Sequence, residues 1–234
     1  NGNISEMIWA AIGSDKQSYS YEYDKMNRIT KGSYHNANKP LQDGRYDERI
    51  EGSNGASSYD LNGNINGIKR YGFTAPATFG LMDDLSYTYS QGNNLSKIDD
   101  AISTQTNEDG FAELAENTGD YAYNKNGSLI KDENRGITSI TYNVVNLPQQ
   151  VNKGANDYTV FTYDATGRKL KQETHGSINK TIEYLGEFVY QDNSLHSVHH
   201  EEGRILPDNS PGAPGPWEYQ YFLKDHLGNS RVTI

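Results

Sequence analysis

Residues 121–129 read Tyr121-Ala122-Tyr123-Asn124-Lys125-Asn126-Gly127-Ser128-Leu129. Two tyrosines two residues apart place both rings on one face of a strand. An Asn follows directly, and its short side chain accepts hydrogen bonds from main-chain N–H groups where a type I turn opens. Gly127 then supplies a residue tolerant of positive φ, which the chain needs to leave the turn and run back. Leu129, two residues on, starts the returning strand. The stretch therefore encodes a strand, a tight turn and a second strand.

The same pattern recurs without gaps. Copies are Tyr23-Asp24-Lys25-Met26-Asn27, Tyr59-Asp60-Leu61-Asn62-Gly63, Tyr89-Ser90-Gln91-Gly92-Asn93, Tyr142-Asn143-Val144-Val145-Asn146 and Tyr163-Asp164-Ala165-Thr166-Gly167. A seventh, Lys224-Asp225-His226-Leu227-Gly228, lacks the Tyr. The second residue is always Asp, Asn or Ser, and the fifth is always Gly or Asn. Agreement at both turn positions in seven copies argues against a chance effect of composition. The fifth residue, Asn93 included, is expected to take the positive φ. Alternation precedes the turns, as in Tyr19-x-Tyr21-x-Tyr23, Leu85-x-Tyr87-x-Tyr89 and Phe161-x-Tyr163. An internal repeat of this kind predicts an all-β array of hairpins.

Composition agrees. The 234 residues are 34% hydrophobic, yet 18 are Tyr and 23 are Gly. Tyr packs its ring and wets its hydroxyl, which suits a half-exposed pleated surface. An aromatic share of 11% is too high for a disordered chain. The formal charge of -10 argues against nucleic acid as a partner, since phosphate contacts need clustered Lys and Arg. No apolar run reaches the 18 or so residues of a membrane span. With no Cys, disulfides, thiolate metal sites and Cys nucleophiles are excluded.

Spacing between the tyrosines is near 20 residues in the middle of the chain and longer before it. The longer intervals are expected to hold an extra hairpin or a loop. Residues 37–57 read as a polar insert. Residues 100–117 are acidic, with one helical turn expected at 110–115. Residues 206–217, rich in Pro and Gly, read as a loop. The expected organisation is one continuous segment: a hairpin array over 1–203, a Pro/Gly-rich loop over 204–217 and, over 218–234, the start of the element that carries Asp225-His226-Leu227-Gly228. Asn1-Gly2-Asn3-Ile4 matches Asn62-Gly63-Asn64-Ile65, so the chain is expected to begin inside a repeat and to be a segment of a longer protein.

Chemistry is sparse. His196, His199 and His200 lie beside Glu201 and Glu202. On a strand His196 and His200 would share a face, a spacing compatible with metal, but the expected reading is a polar strand edge. The Asp225-His226 pair, with Arg231 nearby, suggests acid–base work less than a turn opened by Asp225. Loops of EF-hand type are excluded because Ser58, Ala122 and Thr162 stand where the first acidic ligand would. No nucleophile elbow and no phosphate loop occurs. No catalytic residue, cofactor or metal is expected, and the chain is not expected to be an enzyme.

The repeated Tyr-Asp-x-x-Gly-x-Leu pattern resembles the YD repeat of Rhs proteins, wall-associated bacterial proteins and teneurins. The run Asp225-His226-Leu227-Gly228-Asn229-Ser230-Arg231 resembles the D-H-L-G-x-x-R element of the Rhs core region, and the Asn-rich style, with Gly80-Leu81-Met82-Asp83-Asp84-Leu85 before a Tyr strand and His200-Glu201-Glu202-Gly203 late on, is similar to the Bacteroidetes branch. The resemblance implies a β-sheet strip spiralling into a hollow shell, or cocoon. It implies a secreted or bacterial cell-surface location. It also implies partners: the rest of the same shell, a C-terminal polymorphic toxin enclosed by it and, for delivery, secretion machinery. Cell-surface adhesion or glycan binding is the alternative. Some members cut themselves near a D-P-x-G-L motif; no residue here is assigned that role.

Overall fold

In the computed structural model the described residues are 2–52, 58–102, 110–113, 119–207, 217–225 and 227–234. They form antiparallel sheets, with two short 3-10 turns at Pro40–Gln42 and Glu133–Arg135. The chain divides into two compact units, Asn1–Arg135 and Gly136–Ile234.

The first unit holds nine strands: β1 (Glu6–Trp9), β2 (Gln17–Tyr23), β3 (Ile29–Asn36), β4 (Glu48–Ile50), β5 (Gly67–Ala75), β6 (Thr78–Tyr89), β7 (Leu95–Asp100), β8 (Tyr121–Tyr123) and β9 (Leu129–Asp132). Strands β1 to β7 form one sheet in sequence order, and β8 pairs with β9. The second unit holds β10 (Ser139–Tyr142), β11 (Pro148–Asn152), β12 (Tyr158–Tyr163), β13 (Lys169–His175), β14 (Lys180–Leu185), β15 (Phe188–Gln191), β16 (Ser194–His200), β17 (Gly203–Pro207), β18 (Trp217–Lys224) and β19 (Ser230–Thr233). These form a ten-stranded meander, again in sequence order. Short connections and neighbour pairing are what local turn signals dictate.

The longer intervals carry extra strands. β4 lies inside the polar insert 37–57 and pairs with β3 and β5. The long β5–β6 hairpin fills the interval between Tyr59 and Tyr89. Its turn is Pro76-Ala77, with Ala77 at φ 60°, a type II shape. Strand enters both ends of the stretch expected as a loop: Leu206 pairs with Glu218 and Pro207 with Trp217. Residues 208–216 between them lie outside the described residues. Residues 110–113 are not helical, and the rest of the turn expected there also lies outside them.

Residues 184–190 have no DxxG turn but do form a hairpin. Leu185 pairs with Phe188 across Gly186-Glu187, with Gly186 at φ 66°. A Gly at the first turn position gives a type II′ turn, whose twist matches the strands. Asp192 and Asn193, at φ 51° and 64°, close the next hairpin as a type I′ turn.

Few apolar groups are covered. Among the described residues the buried hydrophobics are Tyr34, Leu85 and Ile98. Aromatic contacts carry much of the packing in the first unit. Trp9 stacks on Tyr19 at 5.7 Å, Tyr19 meets Tyr34 edge-on at 5.8 Å, and Tyr34 meets Tyr46 at 5.1 Å. Tyr46 then meets Phe79, which lies 4.1 Å from Phe73. Such pairs contribute about 0.5–1.5 kcal/mol each beyond area burial. Burial pushes the Tyr19 phenol up to about 12, with the nearby charge of Glu48 adding to it.

Buried carboxylates complete the sheets where strands stop pairing. β3 pairs with β4 only at Lys31 and Gly32, and the Tyr34 N–H beyond them donates to Asp47 Oδ1 at 2.9 Å. Asp120, fully buried, accepts from Ile98 N–H at 2.9 Å and from the Asn134 amide at 3.0 Å. Asp83, also fully buried, accepts from Phe111 N–H at 2.7 Å and pairs with Arg70 at 2.6 Å. A buried N–H without an acceptor is costly, and a carboxylate oxygen substitutes for the missing carbonyl.

Candidate functional site: the repeated turn and its latch

The unit that the sequence repeats is also a repeated geometry. At Asp164 the main-chain N–H donates to the Arg168 carbonyl at 2.9 Å, and Gly167 N–H returns to the Asp164 carbonyl at 3.1 Å. The side-chain Oδ1 accepts from the N–H groups of Thr166 and Arg168, at 2.9 and 3.0 Å. The same four bonds occur at Asp24, Asp60, Asn124, Asn143 and Asp225. Positive φ falls on Asn27 (61°), Gly63 (88°), Gly127 (79°), Asn146 (60°), Gly167 (86°) and Gly228 (84°), the expected fifth positions.

The Tyr89 unit departs from expectation. Positive φ falls on Gly92 (71°), not on Asn93. Ser90 is the reason. Its hydroxyl, one atom shorter than an Asp or Asn oxygen, donates to the Asn94 carbonyl at 3.3 Å. Gly, present one place early, takes the left-handed conformation at least cost. The Asn93 side chain instead accepts from Asn64 at 3.1 Å.

Six of the seven turns lead into a β-bulge at one fixed place; the Asp60 turn is closed by the single bridge Tyr59–Ile65. Tyr23 pairs with Ile29 and Glu22 with Lys31, which leaves Thr30 as the extra residue. The same skip leaves Ser96, Ile130, Gln149, Leu170 and Arg231 as extra residues in five other units. A bulge bends its strand and raises the local twist. Here it recurs with the repeat.

The tyrosines act as latches between units. Tyr23 donates from its hydroxyl to the Ile4 carbonyl at 2.7 Å, Tyr89 to Ile65 at 2.8 Å and Tyr163 to Pro148 at 2.9 Å. Tyr59 donates likewise to Ile29. In every case the acceptor stands two residues after the closing Gly or Asn of the preceding unit. The Arg28 guanidinium lies 4.2 Å over the Tyr59 ring. Lys224 replaces Tyr in the last unit and keeps the function: its ammonium donates to the Glu201 carbonyl at 2.6 Å. Tyr123 and Tyr142 occupy the same place in their units.

Charge reinforces three turns. Asp24, Asp164 and Asp225 pair with Arg28, Arg168 and Arg231 at 2.7, 3.1 and 2.7 Å. The Thr166 hydroxyl and the Arg168 N–H hold the Asp164 carboxyl down to about 2. Partial burial pulls Asp225 upward, but bonds from Asn229, Leu227 and Arg231 outweigh it and leave this carboxyl well below the usual range. Arg231, the bulge residue, folds back onto Asp225, which ties together the first and last residues of the element spanning 225–231. Leu227 is exposed, and His226 lies outside the described residues.

The histidines near 200 do not lie on the expected strand edge, because β16 is paired on both sides, with β15 and with β17. Val189 pairs with Ser197 and Tyr190 with Leu195, so His196 is an unpaired bulge residue. The two-residue alternation is therefore broken between His196 and His200. His199 bonds Ser197 at 3.0 Å, and His200 packs edge-on against Tyr221. Sequence reading did not find the latch acceptors or the buried aspartates 47, 83 and 120. A main-chain acceptor leaves no trace in composition.

No protein-family model matches the chain, and no curated protein matches it. Solved structures similar to it include the crystal structure of TcdB2-TccC3-TEV, at 15% identity and a TM-score of 0.48, over 94% of this chain and 13% of that one. The structure of the Photorhabdus luminescens Tc holotoxin pore is similar at 15% identity and a TM-score of 0.37, over 93% and 14%. The crystal structure of TcdB2-TccC3-Cdc42 is similar at 15% identity and a TM-score of 0.36, over 97% and 15%. The chain thus spans about a seventh of the length of these chains.

Proposed function

We propose that this chain is a segment of a structural β-shell, in a secreted or surface protein of YD-repeat type, that encloses a C-terminal toxin and helps deliver it. The observation that carries the reading is the latch: each of five units is fastened through a side chain to a main-chain carbonyl of an earlier hairpin. Such fastening extends a sheet indefinitely without requiring a deep apolar core, as a thin wall demands. The spiral course, the 1–203, 204–217 and 218–234 organisation, and the partnership with toxin and secretion machinery belong to this reading. Its role there is mechanical, and no catalytic step is assigned to delivery. A three-dimensional map of the intact parent protein tests it. A closed hollow wall with density inside is expected; an open β structure around an empty groove would overturn it.

One observation favours adhesion or glycan binding as a second reading. Trp217, Tyr219 and Tyr221 alternate along β18, so they share a face, and they are 42%, 56% and 49% exposed. An exposed aromatic row is a stacking surface for sugar rings. Glycan-array binding lost in Trp217→Ala would move the weight to this reading.

A further inference from the structure

Ser20 on β2 and His35 on β3 lie on one sheet face, because Ser20 pairs with Ser33 and His35 with Ser18. His35 Nε2 is 3.1 Å from Ser20 Oγ, and His35 Nδ1 is 3.3 Å from Asp43 Oδ2. Asp43, just after the turn Pro40–Gln42, is anchored by its other oxygen, which accepts the Asn36 N–H at 2.9 Å. That bond and the contact with His35 hold its carboxyl below the usual range against partial burial. An ionised carboxylate only accepts, so Nδ1 carries the proton and Nε2 presents its lone pair to the serine hydroxyl. Nucleophile, base and orienting group thus stand in the order that activates a serine. The His35 and Asp43 side chains are 44% and 42% exposed, so a small molecule reaches the face.

We propose that Ser20 is an activated nucleophile and that this face hydrolyses small activated carboxylic esters, aryl esters in particular. Ser20 Oγ bonds to the ester carbonyl carbon while His35 Nε2 takes the hydroxyl proton. The carbon–oxygen bond to the aryl group breaks, and His35 returns the proton to the departing oxygen. Water then attacks the acylated serine with His35 again as base, which releases the carboxylic acid and restores Ser20. The leaving group must be good. Ser20 is laddered to both Glu6 and Ser33, so its N–H is taken up by the sheet. Loss of an oxyanion donor costs on the order of 10²–10³ in rate, which puts amides and alkyl esters out of reach.

The test is p-nitrophenyl acetate hydrolysis by the full chain, with the acetylated residue located by mass spectrometry. Ser18 and Ser33 share the face and serve as internal references. Acetylation of Ser20 at least about tenfold faster than of either reference is expected, together with turnover above buffer that Ser20→Ala abolishes. His35→Gln should lower the rate by about 10²–10⁴ as the base is removed. If that variant fails to fold, Asp43→Asn, which keeps an acceptor for the Asn36 N–H, should still lower it. Acetylation without preference for Ser20, or turnover unchanged in Ser20→Ala, overturns the proposal.

Discussion

The Tyr89 hydroxyl and the Ile65 carbonyl, 24 positions apart, meet at 2.8 Å and join one hairpin to the one before it. Phe in place of Tyr89 keeps the ring and removes only the bond. Tyr89→Phe and Tyr163→Phe are each expected to lose about 1 kcal/mol in denaturant unfolding, as one neutral hydrogen bond contributes. Faster amide exchange confined to the latched hairpins would accompany it. Unfolding unchanged in both variants would show the latch to be idle.

Lys224 offers the converse test. Lys224→Tyr should retain the fastening to Glu201, whereas Lys224→Met should lose about 1 kcal/mol. Protection of the β18–β19 amides in hydrogen exchange is the readout. Equal protection in the two variants would contradict the equivalence of ammonium and phenol here.

The turn at Gly127 isolates a conformational effect. A Cβ there would meet nothing within 4 Å, yet φ is +79°. Gly127→Ala should therefore lose about 1–2 kcal/mol through backbone strain alone. Gly127→Asn should lose less, since Asn27 and Asn146 already adopt this conformation. Midpoints from thermal unfolding of the pair would rank them.

Acid should loosen the Asp164 turn over a defined window. Asp164 is held at about 2 when folded against an ordinary value of 3.8. Its contribution to stability is complete above the unfolded value and is lost as pH falls through the folded one. Asp164→Asn keeps the acceptor, as Asn124 and Asn143 do naturally, but cannot titrate. The difference in midpoint between parent and variant should shrink from about pH 4 to about pH 2. A difference that stays constant over that window would mean the charge is not involved.

Removing Asp120 strips an acceptor from two buried donors, the Ile98 N–H and the Asn134 amide. Asp120→Ala should cost about 1–3 kcal/mol for the orphaned Ile98 N–H. Loss of exchange protection at Ile98 would locate the damage; protection unchanged there would refute the substitution of carboxylate for carbonyl.

What could be read in advance was what a few neighbouring residues decide. Asp164 and Gly167 fold their own turn, so the pattern sufficed for them. Asn93 failed because Ser90 cannot reach as far as Asp or Asn, a matter of one atom. The bulges at Thr30 or Leu170 depend on which carbonyl faces which N–H across a pair, and composition does not encode that. Asp47, Asp83 and Asp120 looked like solvated charges in an acidic chain. They are buried because distant strands end where they do. Ser20, His35 and Asp43 come together through one strand pairing and one short turn, with no motif to announce them.

The latch acceptor has a consequence for how such chains change over generations. Ile4, Ile29, Ile65 and Pro148 supply a peptide oxygen, which every amino acid carries. Substitution at that site leaves the fastening in place, and the demand falls wholly on the donor. A unit copied, deleted or swapped for a foreign one finds a receptor already waiting on its neighbour. Units can thus be shuffled as cassettes while their sequences drift apart.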